Sequence, residues 1–106
     1  MKELKDTVEL MNSRNYKERF IAEYWQLKIR HEKLRTFNTK IEAAKYSKMN
    51  EEINNEPNKK KIVEEPIHDV PICLLKEQQK LMGELLRVLE IRAVLEDISL
   101  KDLEED

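Results

Sequence analysis

The sequence predicts an all-α protein: an antiparallel long helical hairpin with a short N-terminal helix, assembling as a homo-oligomeric bundle. Three observations predict it. Charged and apolar residues each make up 40% of the chain, with one Gly and three Pro, a composition typical of bundles and coiled coils. Phe20, Leu27, Leu34 and Ile41 recur every seven residues, the seam of a left-handed helix pair. From Pro71 to about Leu100, Leu74, Leu75, Leu81, Met82, Leu85, Leu86, Val88, Leu89, Ala93 and Leu95 cover an arc of about 180° at the helical step. One partner helix cannot cover that arc, and Gln78 and Arg92 sit near its middle.

The elements follow in order. Residues 1–106 read as one helical-hairpin domain. Residues 1–12 carry Leu4, Val8 and Met11 at helical spacing and give a short amphipathic helix. Asn12-Ser13-Arg14-Asn15 breaks it, and Asn15 with Glu18 resembles a capping box. The first long helix spans residues 15–49, with Tyr16, Tyr24, His31 and Phe37 widening its seam. Ile21, Trp25 and Ile29 form a second stripe on roughly its opposite side, which a hairpin partner cannot reach. Residues 50–69 are poor in apolar groups and hold two prolines, so they read as a loop with Lys59-Lys60-Lys61 at a solvated tip. Ile53, Ile62, Val63 and Ile67 are available there to dock locally. Asp69-Val70-Pro71 opens the second long helix, 70–100, in which Asp can cap and Pro suits the first turn. Residues 101–106 are an acidic tail. Two long helices bury little surface alone, so a useful core needs a third element or other subunits. Ile21, Trp25, Ile29, Leu74, Leu81, Val88 and Leu95 are therefore the expected oligomer interface.

Charge is distributed unevenly. Residues 1–61 hold 15 Lys/Arg against 10 Asp/Glu, whereas residues 62–106 hold 5 against 12. Opposite charges suit antiparallel neighbours; alternatively, part of the basic helix stays open to an anion. With a net charge of −2 and no dominant basic tract, duplex nucleic acid is not an expected partner. Cys73 is the only cysteine, so an intrachain disulfide is impossible and no zinc pattern is present. There is no signal-peptide core at the start and no apolar run of membrane-spanning length, so the expected location is the cytoplasm.

Antiparallel pairing with Leu34 near Met82 and Leu27 near Leu89 would place Glu23 near Arg92 and Asn38 near Gln78. A buried polar group needs a partner. The pairs either fix register, or Glu23 and Arg92 face a cavity between subunits and bind a polar ligand. Arg14-Asn15-Tyr16-Lys17-Glu18-Arg19-Phe20 joins cations to aromatics at a helix start. Helix N-terminal amides and Arg forks suit phosphate, and aromatic faces suit a base. The competing reading keeps Tyr16 and Phe20 in the core and the cations in solvent. No zinc-protease motif, Gly-rich phosphate loop or Ser/His/Asp set is present, so an enzyme is not expected, and neither a metal nor a cofactor is.

Residues 16–37 and 70–98 resemble a family of small two-helix phage proteins with the pattern R-x3-EY-x2-L-x2-R-x2-KL followed by LL-x2-Q-x3-M-x6-L-x2-R. The matching positions are Arg19, Glu23, Tyr24, Leu27, Arg30, Lys33 and Leu34, then Leu74, Leu75, Gln78, Met82, Leu89 and Arg92. That family is named after a protein of crAss-like phages, and the resemblance spans about half of the chain. The architecture is also similar to phage sponges that oppose CBASS and Thoeris immunity, oligomers that sequester cyclic oligonucleotides or ADP-ribose-derived signals. This likeness implies a phage anti-defence protein that withholds a small nucleotide signal in the bacterial cytoplasm without turning it over. Arg14, Arg19 and Arg30 would meet phosphates, Tyr16 or Tyr24 would stack, and Glu23, Gln78 or Arg92 would read polar edges. The alternative is a helical interaction module that docks a host or phage protein through Ile21, Trp25 and Ile29.

Overall fold

The computed structural model describes residues 1–54 and 63–101. Lys59-Lys60-Lys61, the proposed docking of Ile53 and Ile62, and most of the acidic tail lie outside the described residues or their side chains. The described chain is all-helical, with a short N-terminal helix and a long helix pair. A 3₁₀ turn, Leu4–Thr7, runs into α1, Val8–Met11; α2 is Tyr16–Asn54 and α3 is Ile72–Leu95. The molecule measures 60 × 25 × 25 Å. Its long axis is that of α2, whose 39 residues extend about 58 Å at 1.5 Å per residue.

The break before α2 falls where the sequence places it, but its capping differs. Asn15 Oδ1 accepts from the Lys17 amide at 2.9 Å, and the Asn15 amide donates to Ser13 Oγ at 3.0 Å. Ser13 thus takes the place expected of Glu18. α2 runs past Met49 to Asn54, so the first residues read as loop are helical. Before α3, His68 holds the chain down. Its Nδ1 lies 2.8 Å from the Val70 carbonyl oxygen, and its ring stands edge-on to Phe37 at 6.3 Å. Pro71 itself occupies the N-cap of α3, and the Leu74 amide donates to its carbonyl at 3.0 Å.

α3 stops five residues earlier than its apolar pattern suggests. Asp97 takes a left-handed conformation, φ 56°. The Ile98 amide donates to Ala93 O at 2.8 Å, and the Asp97 amide to Val94 O at 3.4 Å, the paired bonds of a Schellman stop. Such stops favour Gly, but Asp tolerates this backbone better than most residues. The turn sends Ile98 and Leu100 back onto α2. Phe20, Tyr24, Leu86, Leu89, Ala93 and Ile98 form the buried cluster, with Ile21, Trp25, Leu27 and Leu100 packed against it.

This return overturns one expectation. Ile21, Trp25 and Ile29 are not an open interface. Trp25 Nε1 donates to Leu100 O at 3.1 Å, and Ile21 packs on the core. Ile29 is buried, and Met1 lines the same crevice as Trp25 and Ile29. Thr7 is fully buried and accepts from Gln26 Nε2 at 3.0 Å. The N-terminal turn is itself tied by Asp6, whose carboxylate accepts from the Glu3 and Lys2 amides at 3.0 and 3.1 Å. Those bonds hold its pKa below the ordinary value. Residues at both ends of the chain therefore cover the stripe that α3 cannot reach.

The α3 stripe has the opposite outcome. Leu74, Leu81, Val88 and Leu95, seven residues apart, are exposed, Leu95 to 80%. Leu85 and Ile91 are also exposed. The hairpin uses the other side of α3 and leaves an apolar strip along the helix.

Gly83 sits where the helices come close. A Cβ placed there would meet His31 Nε2 at 3.4 Å, an ordinary contact distance. Gly83→Ala is therefore expected to raise stability by up to about 1 kcal/mol through helix propensity, and a thermal melt would register this as a higher Tm.

Candidate functional site

The basic–aromatic start of α2 meets the end of α3 through two rings, one guanidinium and one carboxylate. Tyr16 Oη donates to Glu96 Oε1 at 2.8 Å and accepts from Arg92 Nη2 at 2.8 Å. Arg92 Nε also donates to Glu96 Oε2 at 3.1 Å. The guanidinium lies 5.0 Å from the Phe20 ring centroid, and the Tyr16 and Phe20 rings are 6.2 Å apart. The result is a three-member clasp on an aromatic base, exposed to water. The bond to Glu96 is the main cause holding the Tyr16 hydroxyl above its ordinary pKa. Guanidinium has five donors, and the clasp uses two of them. An anion arriving here would compete with Glu96 for Arg92.

About two turns along α2 from Tyr16, Tyr24 Oη donates to Glu90 Oε2 at 3.0 Å, with Lys28 Nζ 3.5 Å from the Tyr24 hydroxyl oxygen. Lys28 also stands 5.1 Å from the Trp25 ring centroid. Burial, then the Glu90 bond and charge, push the Tyr24 pKa up to about 12. A raised folded pKa stabilises fully below the unfolded value of 10.0 and is lost as pH climbs toward 12. Tyr24→Phe should remove that part of the alkaline decline. Urea melts at about pH 9 and about pH 11 check this: the wild type is expected to lose more stability between them than the variant.

Of the eight residues expected to bind ligand, the structure brings together Tyr16 and Arg92. Arg14 and Arg19 are exposed beside them, and Arg19 Nη1 donates to Ser13 O at 2.9 Å. Tyr24 is buried in the core rather than offering its ring face. Glu23 and Arg30 are exposed on α2, and Gln78 is exposed on α3.

Both predicted polar pairs are corrected. Arg92 meets Tyr16, Phe20 and Glu96 instead of Glu23: the register lies within a residue or two of the expected one, with Tyr24 against Glu90 and His31 against Gly83, but the guanidinium turns toward the start of α2 and Glu23 stays exposed. Asn38 meets Gln79 instead of Gln78: its Nδ2 donates to Gln79 Oε1 at 2.9 Å and to Leu75 O at 3.1 Å. Glu96, which completes the clasp, was not singled out by the sequence. Its spacing of four from Arg92 was the available signal. Among the described residues no group of three or more His, Cys, Asp or Glu is placed to hold a metal ion, and no helix is long and apolar enough to cross a membrane. Cys73 is exposed.

No curated protein and no solved structure matches the chain. A family model does: Sequestin, over residues 14–52. The match falls on α2 and the residue pair before it, and takes in Arg14, Tyr16, Arg19, Glu23, Tyr24 and Arg30. Over that helix, though not over α3, the chain is similar to the Sequestin family.

Proposed function

We propose that this protein is a phage anti-defence sponge: a homo-oligomer that binds a host nucleotide immune signal, a cyclic oligonucleotide or an ADP-ribose derivative, and withholds it without turnover in the bacterial cytoplasm. The observation that carries this reading is the Sequestin match, because a family named for sequestration coincides with the helix bearing the basic–aromatic start. Arg14, Arg19 and Arg92 supply donors for phosphate within reach of one end of the hairpin, and Tyr16 supplies a ring for a base or ribose. Copies pair through the α3 strip of Leu74, Leu81, Val88 and Leu95, whose seven-residue spacing answers the same spacing on another helix. The rival reading, a module docking another protein through Ile21, Trp25 and Ile29, is weakened because the chain itself covers those residues.

Calorimetry with a panel of cyclic oligonucleotides and ADP-ribose derivatives tests the proposal. Saturable heat with one class of nucleotide supports it. Absence of heat with every member at micromolar protein refutes it.

A further inference from the structure

Midway along the hairpin, with Asn38 roughly 33 Å from Tyr16 by helix rise, a polar groove of about 420 Å³ opens between α2 and α3. That volume falls in the range of small-molecule sites. Arg35, Asn38 and Glu42 line it from α2, and Lys76, Gln79 and Lys80 from α3. Three cations thus face one carboxylate. Glu42 pairs with Lys76 and raises its pKa, so this lysine stays charged and tethered. Arg35 is 3.6 Å from Glu32 at the rim, in an exposed contact that solvent screens, and Lys80 has no acidic partner among the described residues.

The groove also contains an unmet acceptor. Asn38 is 3% exposed and spends its Nδ2 on Leu75 and Gln79, while its Oδ1 is buried without any hydrogen-bond partner. Buried polar atoms are nearly always paired, and an orphan calls for a donor. Gln79 shares the groove and accepts from the same amide, which fixes the Asn38 side chain with Oδ1 as its free acceptor.

We infer that this groove is a second recognition site, for an organic phosphate that also carries an N–H donor, as an adenine nucleotide does. The phosphate takes Arg35 and Lys80, with Lys76 beside them, and the N–H group takes Asn38 Oδ1. The inference rests on the sponge reading for the class of ligand, but it places binding at a different part of the hairpin from the Tyr16–Arg92 clasp.

The test is a titration of the full chain with ADP-ribose and with pyrophosphate, using three variants checked for folding by circular dichroism. Arg35→Gln/Lys80→Gln changes exposed groups only, and should weaken both probes tenfold or more. Asn38→Leu should leave pyrophosphate unchanged and abolish the preference for ADP-ribose. Arg14→Gln/Arg19→Gln should lose binding at the Tyr16–Arg92 clasp and keep the component that Arg35→Gln/Lys80→Gln removes. If Arg35→Gln/Lys80→Gln binds both probes like the wild type while Arg14→Gln/Arg19→Gln loses them, the groove is overturned and the sponge reading stands. If the wild type binds pyrophosphate through Arg35 and Lys80 but shows no preference for ADP-ribose, the N–H contact is overturned. If it binds neither probe, the groove is overturned whatever a cyclic dinucleotide does, and that ligand then decides the sponge reading separately.

Discussion

If copies pair through α3 as proposed, Leu81→Glu combined with Val88→Glu is expected to leave a lone protomer of 12.8 kDa. Both side chains are about half exposed in the single chain, so the hairpin itself depends little on them. In an assembly each would be buried, and a buried Leu or Val contributes about 1.5–3 kcal/mol. Placing carboxylates there forfeits that gain and adds the cost of desolvating charge. A loss of several kcal/mol at one helix seam shifts dissociation by a thousandfold or more. Sedimentation equilibrium at micromolar protein measures it, with unchanged helicity as the control. Trp25→Ala provides the contrast. Since Trp25 packs within the chain and donates to Leu100 O, its loss should lower stability and leave subunit number alone.

Phe20→Ala should have the largest effect on folding. Phe20 is 2% exposed, at the centre of the cluster that joins Tyr24, Leu86, Leu89 and Ala93. Truncating a buried Phe typically costs about 3–5 kcal/mol through lost transfer energy and the cavity left behind. Small domains hold only about 5–15 kcal/mol in total. At roughly 4–8 °C per kcal/mol for a chain of this size, the melting temperature should fall by about 15 °C or more. Phe20→Leu, which keeps most of the volume, should fall far less. Phe20 also carries the Arg92 guanidinium on its ring, so Phe20→Ala loosens the clasp as well as the core. Comparing it with Leu89→Ala, equally buried, separates the two consequences.

The helix pair was legible because its signal is periodic. Phe20 and Ile41 are buried and Leu27 and Leu34 half-buried, as a seven-residue seam requires. The cover over Ile21, Trp25 and Ile29 was not legible, because the elements that supply it are aperiodic: a 3₁₀ turn at one end and a post-helical reversal at the other. No glycine announces the reversal, since Asp97 takes the left-handed position itself. Side-chain direction was the other weak point. Aligning Leu27 with Leu89 comes within a residue or two of the pairing found, but it did not determine that Arg92 would turn to Tyr16 and Glu96 rather than to Glu23. Of the candidate site, the basic–aromatic helix start and Arg92 were each legible from residue types, but their meeting was not, since the sequence paired Arg92 with Glu23. The unpaired Asn38 Oδ1 was not, because it depends on which of Gln78 and Gln79 faces inward.

Sequestration is tested most directly by what the folded protein carries. The chain is mixed with ADP-ribose derivatives and cyclic oligonucleotides, freed of unbound ligand by gel filtration, denatured, and its released small molecules weighed by mass spectrometry. One nucleotide returned intact, in fixed proportion to protein, is the expected result. Recovery of none, or of a hydrolysed product, would contradict it.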